Sequence, residues 1–155
     1  MEKHEAVRQL TADPGFLLSR VGAAVRAGFK DVLAGRGIRP LQYVILLVLD
    51  TRDGVSQQEL CAAARVDSGN MVELLDGLEA LRYAQRDRDP RDRRRYMVTI
   101  TESGRSALAE LRLAVEEYNG RFLSPLTGPE RQQLAATLGK LYATTAEARS
   151  EFAGE

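Results

Sequence analysis

The residues with the most distinctive chemistry are the arginines between positions 82 and 95. This segment contains seven arginines and three aspartates, a local formal charge of +4, and because the net charge of the chain is 0 the remaining residues sum to −4. One short stretch therefore concentrates positive charge on an otherwise mildly acidic chain. Such a stretch can bind a polyanion locally without making the whole surface adhesive, although a solvated charged loop would have the same composition.

The sequence on either side of these arginines predicts two short strands. Residues 83–86 can run extended, and residues 95–100 alternate aromatic or β-branched side chains with arginine, methionine and threonine. That alternation is the period of a half-buried strand. Asp89-Pro90 between the two segments is a turn signal, because proline disfavours helix in the residue before it. The sequence therefore predicts a β-hairpin with an arginine-rich tip.

Length and composition limit the class of protein. A chain of 155 residues can form a single domain with one core. Its only cysteine, Cys61, excludes an intrachain disulfide, and with a single histidine, His4, the chain has no Cys/His cluster for a structural metal. The N-terminus lacks a secretory apolar region, and the longest apolar run, 43–49, is too short to cross a bilayer. We expect a cytoplasmic protein with no metal, no cofactor and no membrane contact.

Apolar periodicity and capping signals predict six helices. Their predicted boundaries are 14–34, 40–50, 56–64, 68–82, 102–122 and 128–150. Pro14 and Pro40 stand at the first position of the first two helices, and Ser56 with Glu59 forms a capping box at the third. The apolar run 43–49 fits a buried helix or a central strand. The proline before it and its helical neighbours favour the helix.

The third and fourth predicted helices, joined by a tight turn, have the arrangement of a helix-turn-helix. The fourth has a stripe predicted to be buried, formed by Met71, Leu74, Leu75, Leu78 and Leu81. Its opposite face presents Gly69, Val72, Glu73, Asp76 and Gly77. A hairpin directly after this helix is the further requirement of a winged helix-turn-helix. In that arrangement the helix enters a major groove of DNA, and the hairpin tip reaches the adjacent minor groove, whose negative potential attracts arginine.

The last two predicted helices carry apolar seams that need a partner surface. In helix 102–122 the seam has the spacing of a heptad repeat and consists of Leu108, Leu111, Val115, Tyr118 and Phe122. In helix 128–150 it consists of Leu134, Leu138, Leu141 and Thr145. Helix 14–34 can cover part of these seams and a second subunit the rest. The sequence therefore predicts a homodimer, which suits a palindromic DNA site with two half-sites.

Residues 56–108 resemble the MarR family of bacterial transcription regulators. The most specific matching segments are Asp89-Pro90-Arg91-Asp92-Arg93-Arg94 and Ile100-Thr101-Glu102-Ser103-Gly104. Helix order extends the resemblance over residues 13–150. The resemblance implies a single, mainly α domain with a small β-hairpin wing: a winged helix-turn-helix at 40–100, and dimerisation helices at 13–38 and 102–150. It also implies a ligand-responsive repressor that binds double-stranded DNA.

By this resemblance, the DNA contacts come from the start of the fourth helix, the recognition helix, and from the wing. The predicted DNA-binding residues are Arg65, Ser68, Gly69, Asn70, Val72, Glu73, Arg88, Arg91, Asp92, Arg93, Arg94 and Arg95. Asp92 and Arg94 match a pair that braces the wing in the family and touches the minor groove. Asn70 could read adenine or cap the helix.

The chain departs from the family pattern at two positions. Glu73 stands where a basic residue is frequent, and Arg82 where glycine is frequent. Residues 67–81 contain no lysine or arginine but four acidic side chains, which would repel phosphates, although Glu73 can accept a hydrogen bond from cytosine N4. Phosphate affinity is therefore expected mainly from the wing, Arg65 and Arg82.

The family commonly releases DNA when a small aromatic or acidic effector binds between the dimer helices and the winged part. By the same resemblance the candidate ligand-binding residues are Phe16, Arg20, Tyr43, Leu47 and Tyr118. Ordinary core packing is the alternative for these residues, and Arg20 could pair with a neighbouring carboxylate instead of a ligand. Cys61 matches no sensing cysteine near the N-terminus, and free cysteine usually serves as a small hydrophobic residue.

Two other classes of protein compete with this interpretation. An enzyme needs a nucleophile and a base, or paired acids, in one site. With His4 in a polar N-terminus and no glycine-rich phosphate loop, we predict no enzymatic activity. The other class is a winged-helix protein that has lost base readout and acts through a protein partner, as the acidic recognition helix would allow. A steep loss of DNA affinity with salt would distinguish a DNA-binding protein from both.

Overall fold

The structure, a computed structural model, describes residues 12–52, 54–89, 92 and 95–151, without the side chains of 146–151. These residues form six helices and three strands. In chain order they are α1 Pro14–Ala34, α2 Pro40–Leu49, β1 Val55–Ser56, α3 Gln57–Ala64, α4 Ser68–Ala80, β2 Ala84–Arg88, β3 Tyr96–Ile100, α5 Glu102–Phe122 and α6 Gly128–Glu151. Every predicted helix is present within two residues of its expected ends, and the apolar run is helical. The mainly α fold with a hairpin wing is thereby confirmed.

The wing hairpin belongs to a three-stranded antiparallel sheet in the order β1-β3-β2. Strands β2 and β3 pair from Ala84 opposite Ile100 to Arg88 opposite Tyr96. Strand β1, which the sequence did not predict, pairs Val55 with Val98 on the other side of β3. A strand of two residues shows no periodicity, so no pattern could reveal it. It anchors the central wing strand to the chain that leads directly into α3.

The core of the first compact unit, which extends to Tyr118, takes side chains from all its elements. Its largest fully buried side chains are Leu33, Ile45, Leu46, Leu49, Leu60, Met71, Leu75, Leu78, Leu108, Leu111, Val55 and Val98. Two expectations for α4 are wrong. Leu81 is 36% exposed, because α4 ends at Ala80 and Arg82, the residue after Leu81, turns the chain with a φ of 60°. Gly77 is half-buried against Gln42 rather than on the open face.

Several large apolar side chains remain exposed in the single chain. On α1 they are Leu17, Leu18 and Val21, and on α5 Leu113. The second compact unit begins at Asn119, and there the exposed apolar residues of α6 are Leu138, Leu141 and Tyr142. The predicted α6 seam is therefore open at Leu138 and Leu141. The expectation of an open α5 seam is wrong, because Leu108 and Leu111 are buried in the core of the first unit. None of the helices in the described ranges has the length and apolar character needed to span a membrane.

The predicted capping box at the start of α3 is formed. The Glu59 backbone N–H donates to Ser56 Oγ at 3.2 Å, and the Ser56 N–H and hydroxyl donate to Glu59 Oε2 at 2.9 and 2.6 Å. Arg52 Nη2 donates to the other carboxylate oxygen at 2.6 Å. These hydrogen bonds, those from Ser56 foremost, lower the pKa of Glu59 from 4.5 to about 2. The ionised carboxylate is therefore favoured in the folded state.

The lowered pKa predicts a pH-dependent stability difference between the wild type and Glu59→Gln. A carboxyl with a depressed folded pKa stabilises the protein fully above its unfolded value, near pH 4.5, and loses that contribution as the pH falls toward 2. Glu59→Gln should unfold at a lower temperature than the wild type at pH 7, and this difference in unfolding temperature should narrow below pH 4.5. Thermal unfolding followed by circular dichroism from pH 7 to pH 3 measures the difference. Glu110→Gln, an exposed position on α5, is the control, and a difference independent of pH would contradict the prediction.

Candidate nucleic-acid interface

The first turn of α4 is exposed and firmly capped. Asp67 precedes the helix, and its carboxylate accepts the backbone N–H of Asn70 at 2.9 Å and the side-chain amide of Asn70 at 2.5 Å. These two hydrogen bonds, the backbone one first, lower the pKa of Asp67. Asp67 is the N-cap, and Asn70 supports it by donating its side-chain amide to the cap carboxylate, while adenine readout by Asn70 stays a prediction. Ser68 and Gly69 are exposed beside it, so three predicted contact residues share the open helix start.

The acidic side chains further along α4 are paired with arginines from other elements. Glu73 Oε1 accepts a hydrogen bond from Arg39 Nη1 at 2.8 Å. Arg86 on β2 contacts both Asp76 and Glu79. The expectation that this face simply repels phosphates is therefore incomplete, because arginines offset three of its carboxylates. Sequence reasoning assigned no role to Arg39 or Arg86.

Arg86 joins the wing to α4 through several hydrogen bonds. Its Nε donates to Glu79 Oε2 at 3.1 Å, its backbone N–H donates to Glu79 Oε1 at 2.9 Å, and its Nη2 donates to both carboxylates. The hydrogen bond to Glu79, more than the one to Asp76, raises the pKa of Arg86 above its ordinary value. The side chain of Arg86 is 20% exposed and that of Glu79 32% exposed. This partial burial makes the contact a structural link between wing and recognition helix.

The turn of the wing is closed by backbone hydrogen bonds. Asp89 N–H donates to the Arg95 carbonyl at 3.0 Å, and Arg95 N–H donates to the Asp92 carbonyl at 2.9 Å. The Arg88 guanidinium lies 4.9 Å from the centre of the Tyr96 ring, a cation–π contact that covers a residue still 40% exposed. Arg88, Asp92 and Arg95 are exposed, and their contacts with DNA stay predictions. The tip residues Pro90, Arg91, Arg93 and Arg94 lie outside the described residues.

A concave surface separates the helix-turn-helix from the wing. One part of it is lined by Ser56, Gln57, Gln58, Cys61, Val66, Asp67, Ser68, Arg95 and Tyr96. The adjoining part is lined by Gln57, Val72, Asp76, Glu79, Arg86 and Tyr96. Val72 and Glu73 are exposed on the same stretch of α4. The lining mixes polar and apolar surface and carries an arginine in each part, which suits contact with the sugars and phosphates of a nucleic-acid backbone.

Two more arginines flank α4, each in the left-handed backbone region. Arg65 ends α3 with φ 53°, and Arg82 follows α4 with φ 60°. Both are exposed, and neither makes an ion pair within the part of the chain that the structure describes. This region is uncommon for residues other than glycine, so both arginines adopt a backbone conformation that glycine would adopt more readily. Both side chains are accessible, and the phosphate contacts expected of them stay predictions.

The five candidate ligand residues lie in different surroundings. Tyr43 is buried with its ring edge against Phe29, the centroids 5.7 Å apart, and Leu47 packs against the core. Tyr118 lies over Gly28, its hydroxyl 3.3 Å from the Val25 carbonyl oxygen. Phe16 is half-buried and Arg20 exposed. Packing thus accounts for Tyr43, Leu47 and Tyr118, and a ligand site remains a prediction.

Comparisons with known proteins place this geometry among transcription regulators. A family model described as the MarR family matches residues 36–95. The chain is 33% identical over 139 residues to a protein of Thauera aromatica named for regulation of the hcr operon, covering 89% of this chain and 84% of that protein. It is also similar to the transcriptional repressor CouR bound to a 23-mer DNA duplex, with a TM-score of 0.75, 29% identity and coverage of 86% and 95%. CouR from Rhodococcus jostii RHA1 bound to p-coumaroyl-CoA is similar with a TM-score of 0.68, 32% identity and coverage of 85% and 93%.

Proposed function

Because the chain belongs to the MarR family of transcriptional regulators, we propose that it binds a palindromic operator in duplex DNA as a homodimer and represses transcription. In this proposal α4 of each copy enters the major groove of one half-site. The hairpin of β2 and β3 reaches the neighbouring minor groove or the backbone. An effector that binds the protein relieves repression.

The observation that carries this proposal is the charge balance of α4 beside an arginine-rich wing. Arg39 and Arg86 offset the carboxylates of Glu73, Asp76 and Glu79, while Arg88 and Arg95 remain exposed on the wing. An uncompensated acidic helix would oppose approach to phosphates, and it was the sole sequence feature in favour of a protein partner instead of DNA. Two arginines against three carboxylates reduce that repulsion, so DNA is the partner the geometry supports best.

The open apolar faces support the homodimer. Leu17, Leu18 and Val21 on α1 are each more than 40% exposed, and Tyr142 on α6 is 73% exposed. Exposed apolar side chains on one helix face mark an interaction site, and a second copy of the chain supplies a matching surface under two-fold symmetry. Two recognition helices related by that symmetry would fit two half-sites about one helical turn of DNA apart.

The effector is proposed by analogy with the ligand-bound relative. CouR was solved both with a DNA duplex and with p-coumaroyl-CoA, an acidic compound with an aromatic group. For this chain we propose a small aromatic or acidic effector, with Phe16 and Arg20 on α1 as the candidate contacts that packing leaves at least partly open. A cation at Arg20 would pair with an acidic group.

A DNA titration at two salt concentrations tests the proposal. Labelled duplex from the intergenic region upstream of the gene should bind more tightly than a scrambled duplex, with two chains per duplex in sedimentation equilibrium. The logarithm of the binding constant should fall linearly with the logarithm of salt, by about 0.9 for each phosphate contacted. Equal binding of both duplexes, or binding independent of salt, would contradict sequence-specific DNA binding and direct the search to a protein partner.

A further inference from the structure

One exposed ion pair lies on the open side of the recognition helix. Arg39 Nη1 and Glu73 Oε1 are 2.8 Å apart, and the side chains of Arg39 and Glu73 are 51% and 70% exposed. Ion pairs this exposed contribute little to the free energy of unfolding. Both side chains can therefore change partners without loss of the fold.

A buried glutamine fixes the backbone of Arg39 against α4. The Arg39 N–H donates to Gln42 Oε1 at 2.9 Å, and Gln42 Nε2 donates to the Leu74 carbonyl at 3.1 Å. Gln42 is only 3% exposed, and a Cβ on Gly77 would lie 2.4 Å from its amide nitrogen. Because Leu74 follows Glu73 directly, this connection holds Arg39 at the acidic residue of the recognition helix.

The pair leaves hydrogen-bonding capacity on both partners. Within the described ranges, Glu73 Oε2 accepts no hydrogen bond, and Nη1 makes the only hydrogen bond of the Arg39 guanidinium. A carboxylate oxygen in a major groove can accept the N4 amino group of cytosine. A guanidinium has five N–H donors and binds phosphate oxygens well. Glu73 alone would be repelled by phosphates, whereas Glu73 with Arg39 forms a neutral unit that can read a base and hold the backbone.

We propose that Arg39 is a DNA-contacting residue and that the Arg39–Glu73 pair determines specificity. Glu73 accepts a hydrogen bond from a cytosine amino group in each half-site. Arg39 neutralises that carboxylate and donates to the adjacent phosphate. This inference rests on the proposed function, because it assigns the pair to the same interface.

Arg39→Ala, Glu73→Ala and the control Arg112→Ala test the inference. Arg112 has the same exposure as Arg39, 51%, and pairs with Asp50 at 3.1 Å, but Asp50 caps the opposite end of α2. Each variant is titrated by fluorescence anisotropy with the duplex that the wild type prefers, and with duplexes in which each C·G pair of the half-site is replaced in turn. Unfolding temperatures confirm that all variants are folded.

Arg39→Ala should bind about tenfold or more weakly on every duplex, and its salt slope should fall by about 2, since a dimer loses two phosphate contacts. The wild type should prefer one C·G pair of the half-site by roughly 5- to 150-fold. Glu73→Ala should lose this preference while it keeps its affinity for the substituted duplexes. Arg112→Ala should bind as the wild type does.

The inference is overturned if Arg39→Ala matches Arg112→Ala in affinity and salt slope, or if Glu73→Ala discriminates as the wild type does at every C·G pair. A wild type that prefers no duplex would instead refute the proposed function, and this inference with it. The wild-type titration alone therefore distinguishes failure of the proposed function from failure of this inference.

Discussion

Gly104→Ala is expected to destabilise the protein by about 2 to 3 kcal/mol, as overpacking of a tight contact does. A Cβ at Gly104 would lie 2.0 Å from the carbonyl oxygen of Tyr83 and 2.8 Å from its carbonyl carbon. Both are backbone atoms, so the helix or the chain before β2 would have to move. The higher helix propensity of alanine, about 1 kcal/mol, offsets only part of this.

The chain before β2 has little freedom to move, because Thr101 holds it. Thr101 N–H donates to the Tyr83 carbonyl at 3.1 Å, and the Thr101 hydroxyl donates to the Arg82 carbonyl at 2.6 Å. The same hydroxyl oxygen accepts the Gly104 N–H at 3.0 Å. A displaced α5 would strain these hydrogen bonds together, and they connect the segment between α4 and β2 to the start of α5.

Gly120→Ala is the matched control on the same helix. Apart from the neighbouring backbone of α5 itself, no atom of the described residues lies within 4 Å of a Cβ at Gly120, so alanine there should leave stability unchanged or raise it by up to about 1 kcal/mol. Urea unfolding of both variants, at equal protein concentration because of the expected dimer, measures the difference. If Gly104→Ala is as stable as Gly120→Ala, the close approach to Tyr83 does not constrain the fold.

The helix boundaries could be predicted because the signals that define them are local. Asp13 accepts the Phe16 N–H at 2.6 Å before α1, and before α6 the Thr127 N–H donates to Glu130 Oε2 at 2.7 Å. Each of these interactions spans three residues, so a short window of sequence contains both partners. The arginine-rich wing is equally local in composition.

The partners of the recognition helix could not be predicted, since they come from distant parts of the chain. Glu73 and its partner Arg39 are separated by 34 residues, and Gln42 and Leu74 by 32. No periodicity or motif links such positions. The sequence predicted Gly77 on the open face because glycine, which lacks a side chain, gives no hydrophobic signal. In the structure the close approach of Gln42 explains why glycine stands there.

Arg86 is the residue whose loss should most reduce DNA binding. Arg86→Ala removes the partner of Glu79 and Asp76 and leaves both carboxylates uncompensated on the surface of α4. It also removes the side-chain link between β2 and the recognition helix. We expect stability to fall by about 2 kcal/mol, since the pair is partly buried. The affinity for the operator should fall about 100-fold, because each of the two half-sites bound by a dimer loses roughly 1.4 kcal/mol of binding free energy.

Glu79→Gln separates the structural part of this effect from the electrostatic part. Glutamine keeps the shape of Glu79 and a carbonyl oxygen to accept from Arg86 Nε, but it leaves Arg86 with only the Asp76 carboxylate. Glu79→Gln should therefore lose stability, as Arg86→Ala does, while the added net positive charge maintains or increases its DNA affinity. Anisotropy titrations and urea unfolding of both variants measure the two effects independently. If both variants lost DNA affinity in proportion to their loss of stability, Arg86 would act only through the fold. Opposite changes in affinity would mean that charge compensation on the acidic recognition helix is what permits its approach to DNA.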